Sequence, residues 1–150
     1  MIRSISIATA GQGLYEITRE VQQALSTMIE EAESGDDHFK DGQFKDGLCT
    51  VFLQHTSASL IIQENADPSA RSDLERWLKR LVPEKDPLFT HTAEGPDDMP
   101  SHIKAALTAT SLGIPVMGAE LALGTWQGIY LWEHRSMPQR RKVVISLIGS

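Results

Sequence analysis

Apolar residues in this chain switch repeatedly between a spacing of two and a spacing of three to four, and the order of those switches is what most limits its fold. Residues 2–8 alternate apolar and polar with β-branched side chains, a strand pattern that Gly11-Gln12-Gly13 interrupts. Leu14, Ile17, Val21, Leu25, Met28, Ile29 and Ala32 then mark one face of a helix, with Thr18 as its expected N-cap and Gly35 as its stop. Residues 48–54 and 59–63 are apolar and β-branched and suit buried strands. Asp67-Pro68 opens a second helix with a capping carboxylate and a proline at the first helical position. Its expected buried stripe is Ala70, Leu74, Trp77, Leu78 and Leu81, and Pro83 ends it. Residues 83–100 lack periodicity and form a long loop, of the kind that usually serves function. A third helix opens at Asp97 or Asp98, with Ile103, Ala106 and Leu107 expected inside and an end near Gly113. Residues 114–117, 120–123, 129–135 and 142–148 are strand-like, and their short connections favour antiparallel neighbours. Helices and strands do not alternate one for one, so the expected class is α+β, a single antiparallel-rich domain over residues 1–150 with about three helices.

The composition, with 41% hydrophobic and 23% charged residues, is that of a globular chain and excludes disorder and low complexity. A formal charge of −6 without a long basic run makes the chain a poor binder of nucleic acid or of an anionic membrane. A single cysteine, Cys49, excludes an internal disulfide and an all-cysteine metal site. No apolar run is long enough to span a bilayer, and Met1-Ile2-Arg3-Ser4 lacks the apolar stretch of a signal peptide, so the expectation is a soluble, cytoplasmic protein. Residues 36–46 are rich in Asp, Lys and Gly and are expected to form a charged loop insert, with Phe39 and Phe44 able to fold back on the body.

The chemistry-bearing residues cluster at structural punctuation. His55 follows a strand, His91 lies in the long loop, His102 in the first turn of the third helix, and His134 at the end of a strand. Either three of these imidazoles share a metal with an open coordination position, or each one hydrogen-bonds a loop or a helix end. Glu94, Asp97 and Asp98 precede a helix N-terminus, where one carboxylate suffices for capping and a second is free to orient an imidazole or bind a cation. Histidine next to Thr56-Ser57 does not make a nucleophile dyad, because neighbours on an extended chain point to opposite faces. Asn65 fits a left-handed turn or a loop contact. Gly124-Thr125-Trp126-Gln127-Gly128 is either a hairpin turn with a core tryptophan or a loop offering amides to an anion. Arg135, Arg140 and Arg141 surround the final turn and suit a phosphate, a subunit contact or a solvated turn.

Taken together, His55-Thr56-Ser57-Ala58, Glu64-Asn65-Ala66-Asp67-Pro68, the 95–102 stretch from Gly95 to His102, the 123–129 stretch and Glu133-His134-Arg135 resemble the YjbQ-like family, often described as secondary thiamine-phosphate synthases. The resemblance runs from about Ile5 to Gly149. It implies a β-sandwich-like core, a homotrimer, and a pocket near a subunit boundary. It also implies His91, His102 and His134 as ligands of a divalent metal, zinc or magnesium, with Asp98 and Glu133 as catalytic carboxylates beside them. His55, Asn65, Thr125, Gln127, Arg135 and Arg140 would line the substrate pocket. The expected activity is metal-assisted chemistry on a phosphorylated or pyrophosphorylated small molecule, with transfer and loss of pyrophosphate as its named instance. A metal-dependent hydrolase and a non-catalytic trimer binding a small anion are the alternatives.

Overall fold

The computed structural model describes residues 1–35 and 43–150. Most of the charged segment expected at 36–46 therefore lies outside the described residues. Phe44, at its far end, is buried in the main core.

Strand β1 (Ile2–Thr9) leads to β2 (Gly13–Glu16) and helix α1 (Thr18–Glu33). After them come β3 (Asp46–Leu53), β4 (Ala58–Glu64), α2 (Pro68–Leu81) and α3 (Asp98–Leu107). The chain closes with β5 (Ser111–Met117), β6 (Glu120–Leu121), β7 (Gln127–Glu133) and β8 (Gln139–Gly149). Five strands form one sheet in the order β1-β8-β3-β5-β6, and three form another in the order β2-β7-β4. Every one of these strand pairs is antiparallel. The α+β class with about three helices is what the molecule adopts.

The main core lies where the two sheets and α1 meet. Cys49, Val51 and Leu53 of β3 and Val143, Ile145 and Leu147 of β8 point inward from the large sheet, alternating with outward residues as the two-residue strand period requires. Leu60, Ile129 and Leu131 meet them from the small sheet, and Val21, Leu25 and Met28 from α1. On the other face of the small sheet, Leu14, Tyr130 and Trp132 pack with Leu78 and Val82 in a second, smaller cluster under α2.

Several local expectations give way to tertiary structure. Leu14 belongs not to α1 but to β2, which pairs with β7 from Gly13↔Glu133 to Glu16↔Tyr130. Thr18 starts α1 but does not cap it: Ile17 holds the N-cap position without a side-chain bond. The Thr18 hydroxyl instead accepts from the Ile129 amide at 2.8 Å and donates to Glu16 Oε2 at 2.9 Å. Asp67 caps α2 as expected, accepting from the Ser69 amide at 2.9 Å. Of its stripe only Leu78 is fully buried, while Trp77 and Leu81 stay half exposed. Helix α3 ends at Leu107, which is exposed, and Gly113 lies within β5. Its buried face carries Asp98, Pro100, Ser101 and Lys104. Despite their short connection, β7 and β8 enter different sheets, and the turn between them is where the site begins.

Candidate functional site

The long loop 82–97 and the first turn of α3 bring four ligand-type side chains together. His91, Glu94, Asp98 and His102 each present a nitrogen or carboxylate oxygen, and these atoms all lie within 4.8 Å of one another. Asp98 is central and buried: its Oδ2 is 2.7 Å from His91 Nε2 and 3.1 Å from His102 Nε2. Glu94 Oε2 stands 3.2 Å from the same His91 nitrogen. Asp98 and His102 are four residues apart and so share one helix face. Glu94 comes within reach because Gly95 takes φ +103, a left-handed conformation that a side chain would strain, and its carbonyl accepts from the Asp98 amide at 3.3 Å.

The proton inventory of His102 is informative. Its Nδ1 lies 3.0 Å from the Thr56 carbonyl oxygen, which can only accept, so Nδ1 carries a proton. In the neutral ring Nε2 is then a lone pair directed at the Asp98 carboxylate, acceptor against acceptor. A second proton on the ring or a cation between the two groups resolves that conflict. An imidazole with its far nitrogen fixed on a backbone carbonyl is also the usual support of a metal-ligating histidine. Four donors around a zinc-like ion at ~2.1 Å sit roughly 3.4 Å apart; three of the separations here are 2.7, 3.1 and 3.2 Å, and all lie within 4.8 Å. The other oxygen of Asp98 receives Arg135 Nη1. Arg135 Nε donates to Asp97 Oδ2 at 3.0 Å and Nη2 to the Glu94 carbonyl at 2.9 Å, so one guanidinium ties the loop to the helix. Burial opposes ionisation of Asp98, but its contacts with His91, Glu94, His102 and Arg135 outweigh it and hold the carboxyl below its ordinary range. Asp97 is lowered in the same way: burial raises it, and the Ser136 amide and Arg135 more than compensate.

His134 is not part of this group. It is 1% exposed, and its Nε2 pairs with Ser59 Oγ at 2.9 Å. Burial first, then the Lys104 and Arg141 charges, lowers it to about 3, so the ring is neutral and a poor base. Ser59 is equally buried, so its hydroxyl is closed to a substrate and the pair is no nucleophile dyad. Glu133 accepts from Thr9 Oγ1 at 2.6 Å, from the His134 and Arg135 amides, and from Arg141 Nε and Nη2 at 2.8 and 2.5 Å. With both oxygens committed, it holds the turn together and has no lone pair left for acid–base work. Asp98, the other expected catalytic carboxylate, is likewise engaged, at the centre of the ligand group.

The expected substrate residues divide between two ends of β7. His55 lies at the end with Glu133. Its Nε2 accepts from the Lys142 amide at 2.8 Å, which leaves the proton on Nδ1 and makes the 3.4 Å approach of Arg141 a contact rather than a donated bond. Burial and Arg141 push its pKa down. Asn65, Thr125 and Gln127 gather at the opposite end, roughly 20 Å away along the strand. There Gln127 Oε1 accepts from the Gly124 amide at 2.8 Å, and Asn65 Nδ2 donates to Glu16 Oε2 at 3.3 Å. Arg140 points outward and is exposed. Arg141 is the inward residue, and strand parity would have found it, because it is in phase with Val143, Ile145 and Leu147. Lys104, buried on α3 in phase with Ser101, had no apolar pattern to announce it.

Two antiparallel sheets with a main core between them and a smaller cluster under α2, and a His/carboxylate cluster where a long loop meets a helix N-terminus, characterise this chain. The family described as "UPF0047 protein YjbQ-like" matches residues 3–150, and the chain belongs to that family. A UPF0047 protein of Synechocystis sp. (strain PCC 6803) is 47% identical over 143 residues, 95% of this chain and 88% of that protein. The UPF0047 protein YjbQ of Escherichia coli O157:H7 is 37% identical over 147 residues, 98% of this chain and 96% of its own. Among solved structures, the conserved hypothetical protein TT1486 of Thermus thermophilus superposes with a TM-score of 0.79 at 31% identity, covering 97% of this chain and 99% of that one. A YjbQ/UPF0047 family protein of Clostridium acetobutylicum reaches 0.78 at 35% identity, with 97% and 99% covered.

Proposed function

We propose that this protein is a metal-assisted enzyme acting on a phosphorylated or pyrophosphorylated small molecule, with His91, Asp98 and His102 holding the metal and Glu94 beside them. The observation that carries this reading is the meeting of two imidazole nitrogens on one buried carboxylate oxygen, at 2.7 and 3.1 Å. Donors of this kind favour zinc or a similar transition ion over magnesium, which prefers oxygen ligands and water. A bound divalent ion would neutralise charge on a phosphate or departing pyrophosphate. Arg135 fixes the orientation of Asp98, and the Thr56 carbonyl fixes that of His102, so the residues around the cluster supply positioning.

The expected homotrimer and cytoplasmic location belong to the same reading. Leu48, Phe52 and Ile148 expose apolar surface on the outer face of the large sheet, and burying such surface is a common reason for subunits to associate. Assembly also offers a way to bring the exposed 124–127 turn of one copy towards the cluster of another, joining site residues that one subunit keeps apart. As for the membrane, no helix among the described residues is long and apolar enough to cross one.

The deciding experiment offers purified protein a pyrimidine pyrophosphate with a thiazole phosphate, and separately a panel of phosphate esters, with and without added zinc. Zinc-dependent formation of a new C–N bond with release of pyrophosphate supports the transferase. Net addition of water supports the hydrolase instead. Binding without turnover on any of them, unchanged by His102→Ala, contradicts the metal-assisted reading.

A further inference from the structure

Of the three guanidinium groups around the final turn, Arg140 is exposed and the other two are already neutralised. Arg135 is bound by Asp97 and Asp98, and Arg141 by Glu133 and Ser57 Oγ. Lys104 differs from both. It is 5% exposed; among the described residues its ammonium makes no hydrogen bond and no ion pair within 4.0 Å, although the Glu84 and Asp97 charges act on it from further away, and it keeps an opening to solvent. Its three donors open onto a pocket, where a ligand or solvent meets them. Lys104 lines a pocket of about 210 Å³ whose wall continues through Gln12, Gly13, Lys79, Trp132 and His134. Glu133 also reaches this wall, but its charge is spent on Arg141. Half-buried Glu75 shares the rim with Lys79 and with Arg76, whose guanidinium is paired with Asp73 at 2.5 Å, so Lys104 and Lys79 face one carboxylate not already spent on an arginine. When Ser59 donates to His134 Nε2, the Nδ1–H of that ring becomes a further donor on the wall.

We infer that this pocket is a binding site for a small oxyanion of the phosphate class, with the Lys104 ammonium as its principal contact and the Trp132 ring as its apolar wall. A pocket of this size has room for a phosphate group with a short appendage. The site gives the phosphoryl group of the proposed substrate a seat that the arginines do not provide. It rests on that reading only for the rest of the substrate, since inorganic phosphate alone tests it.

The test titrates inorganic phosphate into the purified full chain and follows the indole and backbone N–H signals by NMR. Saturable shifts of the Trp132 indole and the Gly13 amide are expected, with the exposed Trp77 indole unmoved. Lys104→Met should weaken binding at least about tenfold, the scale of a lost charged hydrogen bond, and His102→Ala should leave it within about twofold. No saturable shift up to about 10 mM phosphate overturns the inference. So does binding that survives Lys104→Met and disappears with His102→Ala, which would put phosphate on the His/carboxylate cluster and leave the metal reading standing. If Lys104→Met does not fold, the wild-type shift map decides: movement around His91 and His102 without Trp132 refutes the pocket.

Discussion

Glu133 and Arg141 sit in the wall between core and site with almost no exposure, and among the described residues each is the other's only ion-pair partner. Removing one member of such a pair leaves the other charged and dry, and that loss typically costs about 3–5 kcal/mol. Arg141→Met should therefore lower unfolding stability by about that amount, whereas Arg140→Met on the exposed side should change it by less than about 0.5 kcal/mol. Urea unfolding of the two variants side by side measures the contrast. His134 makes stability depend on pH. Its native pKa is lowered to about 3 while the unfolded ring titrates near 6.5, so between those values only the unfolded state binds the proton. The contribution is fully present above pH 6.5 and is lost as pH falls towards 3. The wild type should lose about 1–2 kcal/mol from this residue between pH 7 and pH 5, and His134→Gln should flatten that part of the profile.

At the scale of elements, Thr18 joins a helix to a strand. Thr18→Val keeps the shape but removes the acceptor of the Ile129 amide, which belongs to a fully buried residue. A cost of about 1–3 kcal/mol is expected, with faster hydrogen exchange at Ile129, and Thr18→Ser should restore most of it. If Thr18 served only as a helix cap, that amide would exchange at its wild-type rate. The existence of α1, α2 and most strands was legible because apolar spacing records one-sided burial directly. The four residues of β2 were not, since Leu14 and Ile17 are three apart and fit a helical face as well as a strand followed by a turn. The buried face of α3 was hidden for a different reason. Asp98 and Lys104 are tolerated inside only because of groups from distant segments, such as Arg135, or because of an open pocket. His91 and His102 were recognisable as ligand types, but nothing in their spacing told them apart from His134, which strand β7 turns towards Ser59. The split of Asn65, Thr125 and Gln127 from His55 follows from strand length, which becomes decisive only once the ends of β7 are known.

For the molecule as a whole, the outer face of the large sheet carries the exposed apolar surface on which the proposed trimer rests. Rows such as Pro115–Leu48–Ile148 run across three strands, and Ile148 is 72% exposed. Light scattering should give a mass three times the 16.6 kDa of one chain, and joint replacement of Phe52 and Ile148 by Glu should reduce it to that of one chain. A monomeric wild type would refute the assembly. In the function proposed above, His91, Asp98 and His102 form a metal site in which His134 takes no part. The most direct check is the zinc content, by elemental analysis, of protein equilibrated with the ion and then dialysed. About one ion per chain is expected in the wild type and in His134→Gln, and none in the His91→Ala/His102→Ala double variant. A wild type that retains no zinc, or a double variant that keeps it while His134→Gln loses it, would overturn the metal assignment.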